Sequence, residues 1–170
     1  MPPACRSVTM PETATEGHDM PDEPILICYD GSDGAERAIE GAAKLFGPRQ
    51  AIVLDVGPPL TAAESLATLS PVVPGAAFEE LNTDDALARA QVGADHARRA
   101  GFVADARAGI AAPTWEGVVD VAEDIDAAVI VVGSRGLTGA QELFQGSVSH
   151  DIAEHAGRPV LIVPPPRNGR

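Results

Sequence analysis

At 170 residues with 45% hydrophobic content, the chain is long enough for one domain with a real core, and its composition excludes a disordered polymer. A net charge of -13 argues against non-specific binding to nucleic acid or to an anionic membrane surface, although backbone N–H groups can hold a small anion even in an acidic protein. The two cysteines, Cys5 and Cys28, form no CxxC and no Cys/His cluster, which excludes a disulfide scaffold and a zinc site, and no apolar run reaches the roughly 18 residues of a spanning helix.

Residues 1 to 23 are rich in Pro, Thr, Glu and Asp and have no period, so a disordered tail is expected there. The tail lacks a basic stretch followed by an apolar one and does not read as a signal peptide; Met10 and Met20 within it are candidate start codons, and a cytoplasmic location is expected. PILICYD (24 to 30) predicts a buried strand, and Ser32 predicts the cap of a helix with an apolar face of Ala35, Ala38, Ile39, Ala42, Ala43, Leu45 and Phe46. Gly47-Pro48 ends that helix, and AIVLDV (51 to 56) predicts a second strand. The Pro-rich stretch 57 to 78 is long for a connection and reads as a lid, a partner surface or a floppy segment. An Ala-rich helix is expected over 80 to 100, and FVADARA predicts a third strand. Pro113 suits the first position of a third helix, whose stripe is Trp115, Val118, Val119, Ala122 and Ile125. AAVIVV (127 to 132) predicts strand four, SVSHDIAEHA helix four and PVLIVP (159 to 164) strand five, with 166 to 170 a C-terminal tail.

Strands and helices alternate throughout residues 24 to 165. The expected fold is therefore α/β: a five-stranded, mainly parallel sheet with helices on both faces, Rossmann-like in layout. Ligands in such sheets bind at the carboxyl ends of the strands, where the winding direction reverses. Asp30, Val56 and Gly133 stand at those ends. Gly133 and Gly136 permit close approach of a ligand oxygen, and Gly146-Ser147 opens a helix whose free N–H groups favour an anion. Ser147 and Ser149 add hydroxyl donors and Arg135 a positive charge. The spacing is neither GxGxxG nor that of a Walker A loop. A tight strand-to-helix turn capped by Ser147 would also explain these glycines, and Asp30 could simply orient the first turn of helix one.

The pattern Gly133-SR-Gly136-LTGAQELFQ-Gly146-Ser147 after VIVV resembles the nucleotide-binding motif of the universal stress protein family. ILICYDGSDGAERAI is similar to that family's first strand and helix, and the C-terminal quarter resembles it nearly throughout. The resemblance implies a fold of the adenine nucleotide α-hydrolase type that binds ATP and Mg2+. It implies Asp30 beside the ribose and the metal, and the backbone of Val56 against adenine. Gly133, Arg135 and Gly136 would hold ribose and phosphates, with Gly146, Ser147, Val148 and Ser149 on the outer phosphates. It further implies a homodimer joined through the edge strand 159 to 164 and an undefined regulatory protein partner. Asp55 departs from the family pattern, where His is common, and an extra carboxylate there is expected to weaken adenine binding slightly. Ala111-Ala112-Pro113 replaces the usual Gly-Asp-Pro.

The other polar residues have bland readings. His150 and His155 are five apart on helix four and do not share a face as a metal pair would, His96 reads as solvated, and Trp115 as a core or interface anchor. Glu79-Glu80, Asp84-Asp85 and Glu123-Asp124 read as solvated faces, and Cys28 as an inert small hydrophobe. No nucleophile, base and acid converge, so a regulator or sensor with at most slow ATP hydrolysis is expected rather than a fast enzyme. The alternatives are a protein-interaction module of the same fold that needs no nucleotide, and an ATP-using or flavin-carrying α/β enzyme.

Overall fold

β1 (Ile25–Cys28) is central, and its side chains show it: Ile25, Leu26 and Ile27 are all completely buried. A strand with no polar face needs apolar cover on both sides, which only a sheet between two helical layers supplies. The computed structural model describes residues 23–59, 75–134 and 148–166. After β1 come α1 (Asp33–Phe46), β2 (Gln50–Gly57), α2 (Gly75–Arg99), β3 (Val103–Ile110), α3 (Thr114–Asp124), β4 (Val129–Gly133), α4 (Val148–His155) and β5 (Val160–Val163). The strands lie in the order β3-β2-β1-β4-β5. Every described pairing is parallel, with Ile25 beside both Ala51 and Val129.

Side-chain alternation along the strands divides the core into two layers. Ile25, Ile27, Val53, Val129 and Val131 point to one face, where Ala38, Ile39 and Ala42 of α1 and Ala94 and Ala97 of α2 cover them. Leu26, Leu54, Ile130 and Val132 point to the other, under Val118 and Ala122 of α3 and Ile152 of α4. Small residues bring the first layer very close. A Cβ at Gly93 of α2 would stand 2.6 Å from Cγ of Tyr29, so the ring occupies the space a side chain would need. A Cβ at Gly133 would overlap the backbone carbonyl of Gly34, because the first turn of α1 rests directly on the end of β4.

The ends of α1 follow the sequence. Ser32 Oγ accepts the Ala35 N–H at 3.3 Å, and Gly47 closes the helix. Leu45 does not join the apolar face; it is 65% exposed, because only the 35, 38, 39, 42 spacing keeps to one side of a 3.6-residue helix. α2 starts five residues earlier than the expected position 80, so the connection from β2 shrinks to residues 58–74, of which 60–74 lie outside the described residues. Pro113 is not the first residue of α3 but the extended residue before it, with φ -74° and ψ 155°, and its bond to Ala112 is cis. β4 begins at Val129, two residues later than expected.

β3 and β5 are the two edges of the sheet. β3 carries two charges at its centre, with Asp105 exposed and Arg107 paired to Asp124 at 2.7 Å. β5 is Val160-Leu161-Ile162-Val163, all apolar, with Ile162 40% exposed. At the end of β1, burial first and then the charges of Asp30 and Asp55 push the Cys28 thiol up to about 12.

Two outcomes follow from this packing. Gly133→Ala is expected to lower stability by about 1–3 kcal/mol, since backbone must move to admit the methyl group, and thermal unfolding of the variant measures it. In a Cys5→Ser background, Cys28 is expected to resist an aromatic disulfide reagent at pH 8 until the protein is unfolded, because the reactive thiolate is scarce. Rapid labelling of the folded protein would contradict that protection.

Candidate functional site

From β1 the sheet grows through β2 to β3 on one side; the chain then crosses back and adds β4 and β5 on the other. Between β1 and β4 the connections leave toward opposite layers, the position at which sheets of this kind form a crevice at the carboxyl ends of their strands. α1 covers one layer and α4 the other, and as crossover helices of a parallel sheet both direct their N-termini to this end. The positive ends of two helix dipoles therefore flank one end of the sheet, an arrangement suited to an anion.

Asp30 lies exposed on the β1 side, and its Oδ1 accepts the Ser32 N–H at 3.0 Å. Gly133 lies on the β4 side. Ser134 follows it, and its N–H and Oγ–H both donate to the Val163 carbonyl, at 2.9 and 3.2 Å. This pair of hydrogen bonds ties the chain leaving β4 to the end of β5. Val148, exposed, and Ser149, half-buried, form the first turn of α4. Arg135, Gly136, Gly146 and Ser147 lie outside the described residues. The structure thus gathers Asp30, Gly133, Val148 and Ser149 at one end of the sheet.

Val56 belongs to the same end by backbone alternation. The Tyr29 N–H donates to the Leu54 carbonyl at 2.8 Å, just after β1 ends. Two residues further along β2, Val56 turns its own N–H and C=O to that same side, beyond β1. The Val56 N–H also bonds the Asp55 carboxylate and works against the rise in its pKa. The Val56 side chain points instead to the second layer, against Gly117 of α3.

Arg89 is the functional candidate that sequence reasoning missed. Asp55 is buried, and its Oδ2 accepts the Arg89 Nε–H at 2.5 Å. Burial raises the Asp55 pKa, the bond and charge of Arg89 oppose that, and the charge of Asp30 adds to the rise. The signal was present in two periods at once. Ala51, Val53 and Asp55 alternate onto the first layer, and Arg89 sits on the helix that covers it, where Ala86, Ala90, Ala94 and Ala97 are buried. His96 is likewise less solvated than its sequence suggests: it is half-buried, 3.7 Å from Glu36 and ring to ring with Tyr29 at 6.2 Å. Trp115 does anchor a helix pair, stacked on the exposed His155 ring at 4.4 Å.

Burial raises the Tyr29 pKa too, with Glu36 and Asp30 contributing, so negative charge gathers where the crevice opens. Among the described residues no group of three or more His, Cys, Asp or Glu side chains could hold a metal alone. A separate open groove of about 390 Å³ lies between Phe46, Arg49, Val129 and Leu161. It stands at the amino ends of β4 and β5, the opposite side of the sheet from Asp30 and Gly133.

Comparisons agree with this layout. Residues 23–164 match the model of the universal stress protein family. The chain is 31% identical over 144 residues to universal stress protein YxiE of Bacillus subtilis, covering 82% of this chain and 97% of that protein. The solved structure of protein MJ0577 from Methanocaldococcus jannaschii superposes with a TM-score of 0.66 at 23% identity, covering 86% of this chain and 98% of the other. A universal stress protein from Archaeoglobus fulgidus, solved in complex with dAMP, has the same fold at 22% identity and a TM-score of 0.52, over 82% and 96% of the two chains. By this match across nearly its whole described length, the chain belongs to the universal stress protein family.

Proposed function

We propose that this chain binds an adenine nucleotide, ATP with Mg2+, in the crevice between β1 and β4, and acts as a regulator or sensor rather than as a fast enzyme. The carrying observation is the convergence of Asp30, the Gly133 turn and the N-termini of α1 and α4 on one opening. Each supports a different part of the ligand. The Val56 backbone takes the base, Asp30 the ribose, and Gly133, Arg135 and Gly136 the ribose and inner phosphates. Gly146, Ser147, Val148 and Ser149 take the outer phosphates, where Ser149 is already on the first turn of a helix. The dAMP complex of the Archaeoglobus fulgidus protein supports an adenine nucleotide as the class of ligand.

Mg2+ fits the donor set. The ion keeps most of its waters and takes one or two carboxylates beside the phosphates, so an exposed Asp30 suffices where no larger acidic cluster stands. When bound, it neutralises phosphate charge. The Ser32 N–H donates to Asp30 Oδ1, steadying the carboxylate that would hold the ion, and no second described acid beside it would serve as a base for water. Slow hydrolysis, or none, is the consequence for the reaction.

The apolar β5 edge supports a homodimer in which the strand meets a second copy. An acidic chain with no described helix able to cross a membrane supports work in the cytoplasm through an undefined protein partner.

The decisive test is to denature the purified protein and identify any released nucleotide by mass spectrometry, together with thermal unfolding in ATP and Mg2+. ATP at a hundred times its Kd is expected to add about 2.7 kcal/mol to stability. Gly136→Val and Gly146→Val are each expected to remove that gain and leave the unfolding midpoint without ATP near wild type. A protein free of nucleotide and indifferent to ATP would overturn the reading. For the assembly, light scattering at micromolar concentration is expected to give twice the chain mass, and Ile162→Lys to give the monomer; a wild-type monomer would refute the dimer.

A further inference from the structure

Arg89 has its Nε–H committed to a buried carboxylate, and Asp55 is its one partner among the described residues. The side chain is nevertheless 46% exposed, so the pair does not seal the guanidinium from solvent. An arginine on a surface helix ordinarily samples many rotamers; one fastened at Nε presents a planar pair of Nη groups with its entropy already spent. The direction is set by α2. Gly93 lies one turn on from Arg89, on the same face, and packs on Tyr29, and His96 approaches Glu36 of α1. This face of α2 therefore looks toward β1 and α1, not toward the β3 edge. Asp55, directly before Val56, holds the guanidinium over the carboxyl end of β2.

We infer that Arg89 is a specificity-determining residue whose Nη groups donate to acceptor atoms on the edge of the bound base, and that Asp55 is the positioning residue that aims it. The inference rests on the nucleotide reading above and deepens it. The base is favoured over the phosphates because the N-termini of α1 and α4 and the Gly133 turn lie on the β1–β4 side, whereas Arg89 stands on the β2 side with Val56. The Asp55 carboxylate is then not a repulsive intruder at the base end. Its charge is covered by Arg89, and what the ligand meets is a donor.

Calorimetric titration with AMP and with ribose 5-phosphate, the same ligand without the base, tests this. Arg89→Ala is expected to weaken AMP roughly tenfold and leave ribose 5-phosphate unchanged. Arg89→Lys can still pair with Asp55 and is expected to restore the unfolding midpoint without restoring AMP affinity, since an ammonium lacks the planar pair. Should Arg89→Ala leave Asp55 too costly to bury, the double variant Asp55→Asn/Arg89→Met removes both charges and is expected to show the same selective loss. Wild-type AMP affinity in these variants, or an equal loss for both ligands, overturns the inference while the nucleotide site stands. Failure of the wild type to bind AMP overturns this inference, and the nucleotide reading falls with it where ATP and Mg2+ also leave the unfolding midpoint unchanged.

Discussion

The first turn of α1 lies on the end of β4 so closely that the Gly133 Cα and the Gly34 carbonyl leave no room for a methyl group between them. The geometry of the crevice depends on that approach. It brings the N-terminus of α1 over the strand that carries the glycine loop, and it places Asp30, one turn upstream, across from the loop's first residue. Ser134 then anchors the departing chain to β5 through the Val163 carbonyl. Two central strands, one helix start and one edge strand are joined within a few residues. A ligand entering there meets backbone already held in place, which lowers the ordering cost of binding.

The layout was legible because each element carries an unmixed signal. β1 and β4 are short apolar runs of the kind that only a doubly covered strand tolerates, and α1 has both a cap and a stop. The boundaries were less legible where propensity is flat. The Pro-rich stretch after β2 gives way to Ala, Phe and Glu before position 80, so α2 begins earlier than its most regular segment. Pro113 suits either side of a helix start, and its neighbours do not decide between them. At the candidate site, Asp30 and Gly133 stand out in the sequence because they end or follow apolar strands at the carboxyl side of the sheet. Gly133 nonetheless has a packing reason that sequence alone could not reveal, for Gly34 is a distant residue in the chain. The pairing of Asp55 with Arg89 was hidden for the same cause: 34 residues separate the two, and each looks like an ordinary surface charge until the strand alternation and helix face are combined.

Electrostatics explain how so acidic a chain can suit an anionic ligand. The shifts of Cys28, Tyr29 and Asp55 all include the charge of Asp30, and none of them opens a reactive group: the thiol and phenol remain protonated near neutrality. The acid end is balanced locally rather than globally. Helix N-termini supply partial positive charge where phosphates would sit, and Arg89 cancels the one carboxylate that is buried among the described residues. Net charge governs solubility and encounter, whereas helix dipoles and the Asp55–Arg89 pair set the local field at the carboxyl ends of the strands.

The two edges of the sheet are chemically unlike. A β3 neighbour would have to accommodate Asp105 and the Arg107–Asp124 pair, whereas β5 offers four apolar residues. An assembly made through β5 would therefore close on itself about a two-fold axis, with both charged β3 strands turned outward. Growth beyond two copies would need those strands to pair, which would bring Asp105 and the Arg107–Asp124 pair of each copy into the new contact. In such an assembly the asymmetry of a single sheet would favour one self-complementary contact over the repeating one that leads to fibres.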